Sequence, residues 1–157
     1  MIRRKAGVKR PLLDKDLKAI FRIIDANLNR STEGLRVCED VARFVLNDKA
    51  LAVSFKTFRH KLKNQKTKIS LKFDIISVRN VKSDVGRKTK KSDFLRKGFS
   101  DVFSANAQRV KEALRSLEEV SKLIGKGLSE GFKRIRFRFY AAEKKAIKKI
   151  SLLRNSS

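Results

Sequence analysis

The chain has 157 residues, enough for one domain with its own core, and 41% of them are apolar. Its 41 basic and 16 acidic residues give a net charge of +25, and no segment is apolar enough to cross a bilayer or act as a secretory signal. Cys38 is the only cysteine, which excludes an internal disulfide, so a cytosolic protein away from membranes is expected. Residues 1–11 read as a basic, poorly ordered tail, and 12–157 as a single helical domain. The first helix is expected from Asp14 or Asp16, either of which could cap it. Ile20, Ile24, Leu28, Leu35, Cys38, Ala42 and Val45 form its stripe at helical spacing, with Ser31 in an apolar slot. On that stripe Cys38 reads as a buried thiol and not a nucleophile. Asn47-Asp48 marks a turn, and a second helix is expected over residues 51–64. Residues 65–91 form a crossover: KISLKFDIISV reads as a short strand or extended segment, and the stretch around Asp84-Val85-Gly86 as a loop. A third helix is expected from Ser92-Asp93 to Ile124, ended by Gly125 and Gly127, and a fourth over residues 129–153.

Two of these segments say the same thing. Residues 26–45, ANLNRSTEGLRVCEDVARFV, align without a gap to 105–124, ANAQRVKEALRSLEEVSKLI. Ala26, Asn27, Arg30, Glu33, Leu35, Arg36, Glu39 and Val41 recur as Ala105, Asn106, Arg109, Glu112, Leu114, Arg115, Glu118 and Val120. Leu51, Phe55, Lys56 and Arg59 then recur as Leu128, Phe132, Lys133 and Arg136, with a turn shorter by two residues. Each half is a helical hairpin, and two hairpins predict an all-α, pseudo-twofold four-helix bundle-like domain.

The repeat specifies its polar face. Residues three and four apart are neighbours on a helix, so Arg30, Glu33 and Arg36 are in reach of one another, and Arg36 reaches Glu39 and Asp40. Isolated surface ion pairs contribute little and tolerate substitution. Their duplication points instead to a polar seam where the halves meet, with carboxylates orienting arginine forks for phosphate. Asn27 and Asn106 could read the edge of a heterocycle or bond within their own helices. His60, without a counterpart in the second copy, reads as structural or exposed. There is no Walker loop, no dinucleotide fingerprint, no zinc cluster and no Ser-His-Asp set. An enzyme built from Arg, Lys, Glu, Asp and Asn suits phosphoryl transfer, in which positioning and charge neutralisation carry the catalysis. The charge also invites a nucleic-acid partner, although its lysines are spread over nearly every segment and no RNA-binding aromatic motif is present.

The segments IIDANLNRSTEGLRVCEDVARFVLND, FRHKL, SVRNVKSDVG, ANAQRVKEALRSLEEVSKLI and FKRIRFRFYAAEK resemble a bacterial thiamine-biosynthesis domain over about residues 17–145. That domain is often fused ahead of thiamine phosphate synthase and is assigned as a hydroxymethylpyrimidine-phosphate kinase unrelated to the ribokinase-like type. The resemblance implies ATP-dependent, magnesium-dependent phosphorylation of 4-amino-5-hydroxymethyl-2-methylpyrimidine phosphate. Because the sequence stops near Ser157, a stand-alone version, or one working with a separate synthase, is expected. Arg30, Arg36, Arg109 and Arg115 would clamp phosphates, with Arg59, Arg79, Arg136 and Gly86 among the binding residues. Asn27 or Asn106 would read the aminopyrimidine. Glu33 and Glu112 would orient the reacting groups, and Glu39 and Glu118 would in part hold magnesium. Asp84 would accept the hydroxymethyl proton or position the metal. In this family a small hydroxyl residue typically follows Gly86, where this chain has Arg87-Lys88. The competing class is a binding module, either a basic nucleic-acid binder or a non-catalytic pyrimidine-phosphate carrier for the synthase.

Overall fold

A computed structural model describes residues 13–79 and 95–155. Four helices occupy them: α1 (Asp14–Asp40), α2 (Lys49–Ser70), α3 (Phe99–Ser121) and α4 (Lys126–Asn155). No strand occurs among the described residues, and none of their helices is long and apolar enough to cross a membrane. The basic tail, Ser92-Asp93, Asp84 and Gly86 lie outside them.

The first hairpin turns where Asn47-Asp48 signals it. The last turn of α1 widens over Val41–Val45, with Leu46 N–H donating to Val41 O at 3.0 Å. Asn47 then takes φ 48°, a left-handed conformation that asparagine tolerates better than most residues. Asp48 caps α2, its carboxylate accepting from Leu51 N–H at 3.0 Å. A hydrogen bond from Lys149 of α4 tethers the same carboxylate and is the first cause of its lowered pKa.

Several expected boundaries move. Asp14 and Asp16 lie in the first turn of α1 but neither caps it; Leu13 precedes the helix. There they face the positive end of the helix dipole. The second helix runs on to Ser70, because Leu62 and Ile69 carry its buried stripe two turns further. This takes in the start of the expected extended segment. Residues 71–79 are turns, stabilised where Ile76 and Ser77 N–H both donate to Asp74 Oδ1 at 3.2 Å. The segment plugs onto the bundle through buried Ile75 and through Phe73, whose ring centroid lies 4.3 Å from that of Phe21. The third helix begins at Phe99, later than expected, with Asp101 accepting from Lys97 N–H. Gly125 closes it, donating to Ser121 O at 2.9 Å, whereas Gly127 already belongs to the first turn of α4.

The halves meet along α1 and α3, which run antiparallel: Asn27 bonds Ser116, while Gly34 packs on Asn106 and Val110. A Cβ on Gly34 would lie 2.8 Å from Val110 Cγ2 and 3.0 Å from Asn106 O, so this crossing requires a residue without one. Ser31 sits in the apolar stripe for the same reason. It is small and fully buried, and its hydroxyl donates to Asn27 O at 2.7 Å. Phe55, Phe103, Phe132 and Phe139, all fully buried, fill the space between the hairpins.

The repeat exposes one flaw in this core. Ser121 is fully buried and its hydroxyl has no partner among the described residues, while the equivalent residue in the first half is the equally buried Ala42. An unsatisfied buried hydroxyl costs about 1–3 kcal/mol. Ser121→Ala is therefore expected to raise the unfolding free energy by about 1 kcal/mol, read from a shifted urea midpoint at constant slope. A lowered midpoint would show that the hydroxyl is satisfied in solution.

Candidate functional site

The repeated polar residues build two clamps, one inside each hairpin. In the first, Glu39 of α1 is buried and its Oε2 receives Arg59 of α2 at 2.7 Å from Nε and 2.6 Å from a terminal nitrogen. Arg36 lies 3.8 Å from Oε1 and 3.4 Å from Asp40. In the second, Glu118 of α3 receives Arg136 of α4 at 2.8 and 2.7 Å, and Arg115 lies 3.1 Å from Glu118 and 2.7 Å from Glu119. Arg136 also donates to the Tyr140 hydroxyl at 2.8 Å. Burial works against the charge of Arg136, but the Tyr140 hydroxyl and the Glu118 carboxylate outweigh it and raise its pKa.

These clamps do not form the single seam that the repeat suggested. Gly34 faces Val110, and Glu39 lies five residues beyond the one and Glu118 eight beyond the other, in opposite directions because α1 and α3 are antiparallel. At 1.5 Å per residue they are roughly 20 Å apart along the helices. The Arg30–Glu33 pair expected from spacing does not form: both are exposed, and neither has a partner among the described residues. Glu112 instead accepts from Gln108 at 2.7 Å. Arg109 is exposed and without a described partner. Among the described residues no three His, Cys, Asp or Glu side chains gather as a metal site. Glu39 and Glu118 face arginines.

Two grooves lie side by side on one face and share Ser116. The first, about 690 Å³, is lined by Arg22, Asp25, Asn27, Asn29, Arg30, Arg79 and Ser116, among others. Asp25 is its centre. It is 3% exposed, and Arg79 reaches it from the crossover with Nε 2.5 Å from Oδ2 and a terminal nitrogen 2.9 Å from Oδ1. Lys66 of α2 lies 3.4 Å from the same carboxylate and donates to Asn29 Oδ1 at 3.2 Å. Burial alone would raise the Asp25 pKa, but the hydrogen bonds and charges of Arg79 and Lys66 leave it below the ordinary value. Asn27 donates to Ile23 O at 2.9 Å and to Ser116 Oγ at 3.2 Å, so its amide nitrogen is held by the protein. Asn106 repeats the first of these bonds, donating to Val102 O at 2.8 Å. Both asparagines thus bond within their own helices, as one of the two sequence readings has it.

The second groove, about 710 Å³, runs between α3 and α4, with Gln108, Lys111, Glu112, Arg115, Ser116 and Tyr140 among its lining residues. Lys111 is paired with Glu143 at 2.8 Å. Cys38 serves neither groove. It is fully buried, and its thiol pKa is pushed up to about 12 by burial and by the charge of Glu143.

Sequence reasoning found Asn27, Arg30 and Arg79, which the fold brings to one groove, but missed Asp25, Lys66, Arg22 and Ser116. None of these four is kept in the other copy, where Ser104, Glu143, Asp101 and Val37 stand at the equivalent positions. A search for what the repeat retains passes over them.

Residues 22–145 match the model of the ThiD2 family. The chain is 36% identical over 131 residues to a thiamine-phosphate synthase of Rhodopirellula baltica, covering 83% of this chain and 35% of that protein. It is 40% identical over 126 residues to a thiamine-phosphate synthase of Synechocystis sp., covering 80% of this chain and 35% of that protein. The chain thus spans about a third of the length of these relatives. No solved structure matches it. By the extent of the model match and the level of identity, the chain belongs to the ThiD2 family, a thiamine-biosynthesis family associated with thiamine-phosphate synthase.

Proposed function

We propose that this protein transfers the γ-phosphoryl group of ATP to 4-amino-5-hydroxymethyl-2-methylpyrimidine phosphate, giving the diphosphate used by thiamine-phosphate synthase. The observation that carries this reading is the groove around Asp25. There Arg79 is held in place by a buried carboxylate, and Arg22 and Arg30 have no described partner, so guanidinium forks are open to phosphate. The family membership supports it.

The chemistry balances without a base. An oxygen of the substrate phosphate forms a bond to the γ-phosphorus, the bond to the β–γ bridging oxygen breaks, and ADP leaves. That attacking oxygen is already anionic at neutral pH. No hydroxymethyl proton has to be accepted, which removes that role from Asp84. The described residues do not fit a protein-held magnesium ion, because Glu39 and Glu118 are each bonded by arginine. What the chain itself supplies is binding, orientation and positive charge along the phosphates. A thiamine-phosphate synthase would consume the product.

The test is a coupled assay on the purified protein with ATP, magnesium and the pyrimidine phosphate. ADP and the pyrimidine diphosphate are expected in equal amounts. The unphosphorylated alcohol is expected to react at least about tenfold more slowly in kcat/KM, since it lacks the charge-assisted contacts of its phosphate. Folded protein that releases no ADP with either acceptor refutes the reading.

A further inference from the structure

The two halves share a scaffold, and they part company in charge at one place. Around Asp25 the first half gathers four cations, Arg22, Arg30, Lys66 and Arg79, against a single carboxylate. At the equivalent positions of the second half Arg22 becomes Asp101, Lys66 becomes Glu143, Asp25 becomes Ser104 and Asn29 becomes Gln108. Of the arginines kept in both copies, Arg30 and its equivalent Arg109 are exposed and have no described partner, and only Arg30 stands beside this cluster. The other kept arginines are already engaged. Arg36, Arg59, Arg115 and Arg136 are bonded to carboxylates in both hairpins, so their positive charge is already compensated.

From this divergence we infer that the protein has one phosphate-binding groove and not two. It lies between α1 and the Arg79 segment, with Arg22 and Arg30 as the contacting forks. Asp25 and Lys66 act as positioning residues that fix Arg79, and the duplicated clamps are structural. This assignment rests on the proposed phosphotransfer for its ligand class, a phosphate ester or a polyphosphate, but not for the location of the site. Ser116 marks where the anion groove meets its neighbour. Its oxygen accepts from Asn27, so its own hydroxyl hydrogen remains to donate toward a ligand in either groove. The second groove pairs Lys111 with Glu143 and carries Glu112 and Glu119, and is better matched to an uncharged or cationic heterocycle than to phosphate.

Inorganic pyrophosphate is the probe, titrated calorimetrically into the full chain at physiological salt, where diffuse attraction to a +25 surface is screened. One site per chain is expected. Arg22→Ala and Arg30→Ala are each expected to weaken it about tenfold or more, as loss of a charge-assisted phosphate contact does. Both residues are exposed and lack a described partner, so neither change threatens folding. Arg109→Ala, at the position equivalent to Arg30, is expected to move the affinity less than about twofold. ATP and the pyrimidine phosphate, added separately, identify the occupant by which of them displaces pyrophosphate. Two equal sites, or weakening by Arg109→Ala as large as by Arg30→Ala, or displacement by neither compound, overturns the inference. Turnover that survives Arg22→Ala and Arg30→Ala unchanged would overturn it while leaving the phosphotransfer standing. Localised pyrophosphate binding without turnover would do the reverse.

Discussion

Glu118→Ala is expected to lower the unfolding free energy by about 3–5 kcal/mol, the range for stranding one member of a buried ion pair. Glu118 is buried, and so is Arg136, at 9% exposure. Removing the carboxylate leaves a guanidinium that water barely reaches. Its other described bond, to the Tyr140 hydroxyl, cannot neutralise it. Glu39→Ala makes the equivalent change in the first half and is expected to have a smaller effect, because the Arg59 side chain is 24% exposed and partly hydrated. The two variants are compared by urea unfolding followed by circular dichroism. The pair Glu118→Leu with Arg136→Met should recover most of the loss, since an apolar pair of similar volume leaves no charge stranded. If Glu118→Ala unfolds within about 1 kcal/mol of the parent, the clamp is not what holds α3 to α4. If it folds normally and loses only magnesium-dependent activity, Glu118 holds metal after all.

Asp25→Asn is expected to reduce kcat/KM for phosphotransfer at least tenfold, about 1.4 kcal/mol, while lowering stability by a similar 1–2 kcal/mol. The estimate sits at the low end for charged hydrogen bonds because the Arg79 and Lys66 side chains are 41% and 32% exposed and salt screens them. An amide keeps one acceptor for Arg79 but loses the charge that fixes the fork. The stability difference should depend on pH in a defined direction. Asp25 has a folded pKa below its ordinary value, so its contribution is complete above the unfolded value of about 3.8 and is lost as pH falls through the folded one. Parent and variant should therefore differ by a constant amount above about pH 4 and converge as pH falls below it. A difference that stays constant from pH 3 to 7 would show that the carboxylate is not the source.

The contacts of Arg36 with Glu39 and Asp40 were legible in the sequence because they lie on one face of one helix, whereas the closure of Arg59 on Glu39 and of Arg136 on Glu118 was not, because spacing within a helix says nothing of a partner on the next one. The helix order was legible for a similar reason, since the apolar stripes keep a helical period. What failed were signals that compete. Ile69, Ile75 and Ile76 read as an extended segment by composition, yet Ile69 completes the stripe of α2 and Ile75 buries itself in a turn. Asp25 was hidden because its partners lie far along the chain. Arg79 is 54 residues away, and no periodicity connects a helix to a crossover. The duplication misled as well as informed. It marked what both halves need in order to fold, and the groove lies where they differ.

The crossing of α1 and α3 sets a rule of mating between the halves. Glycine stands at position 34 because valine faces it at 110; the equivalent positions carry alanine at 113 and serine at 31. Two copies of the first half brought together by the same twofold would set Gly34 against serine and leave a gap. Two copies of the second would drive the methyl of Ala113 toward Val110, to the 2.8 Å that a Cβ at position 34 would meet. Each half has thus become a lock cut for the other, and a chain that exchanged hairpins with a neighbour would have to take the opposite one.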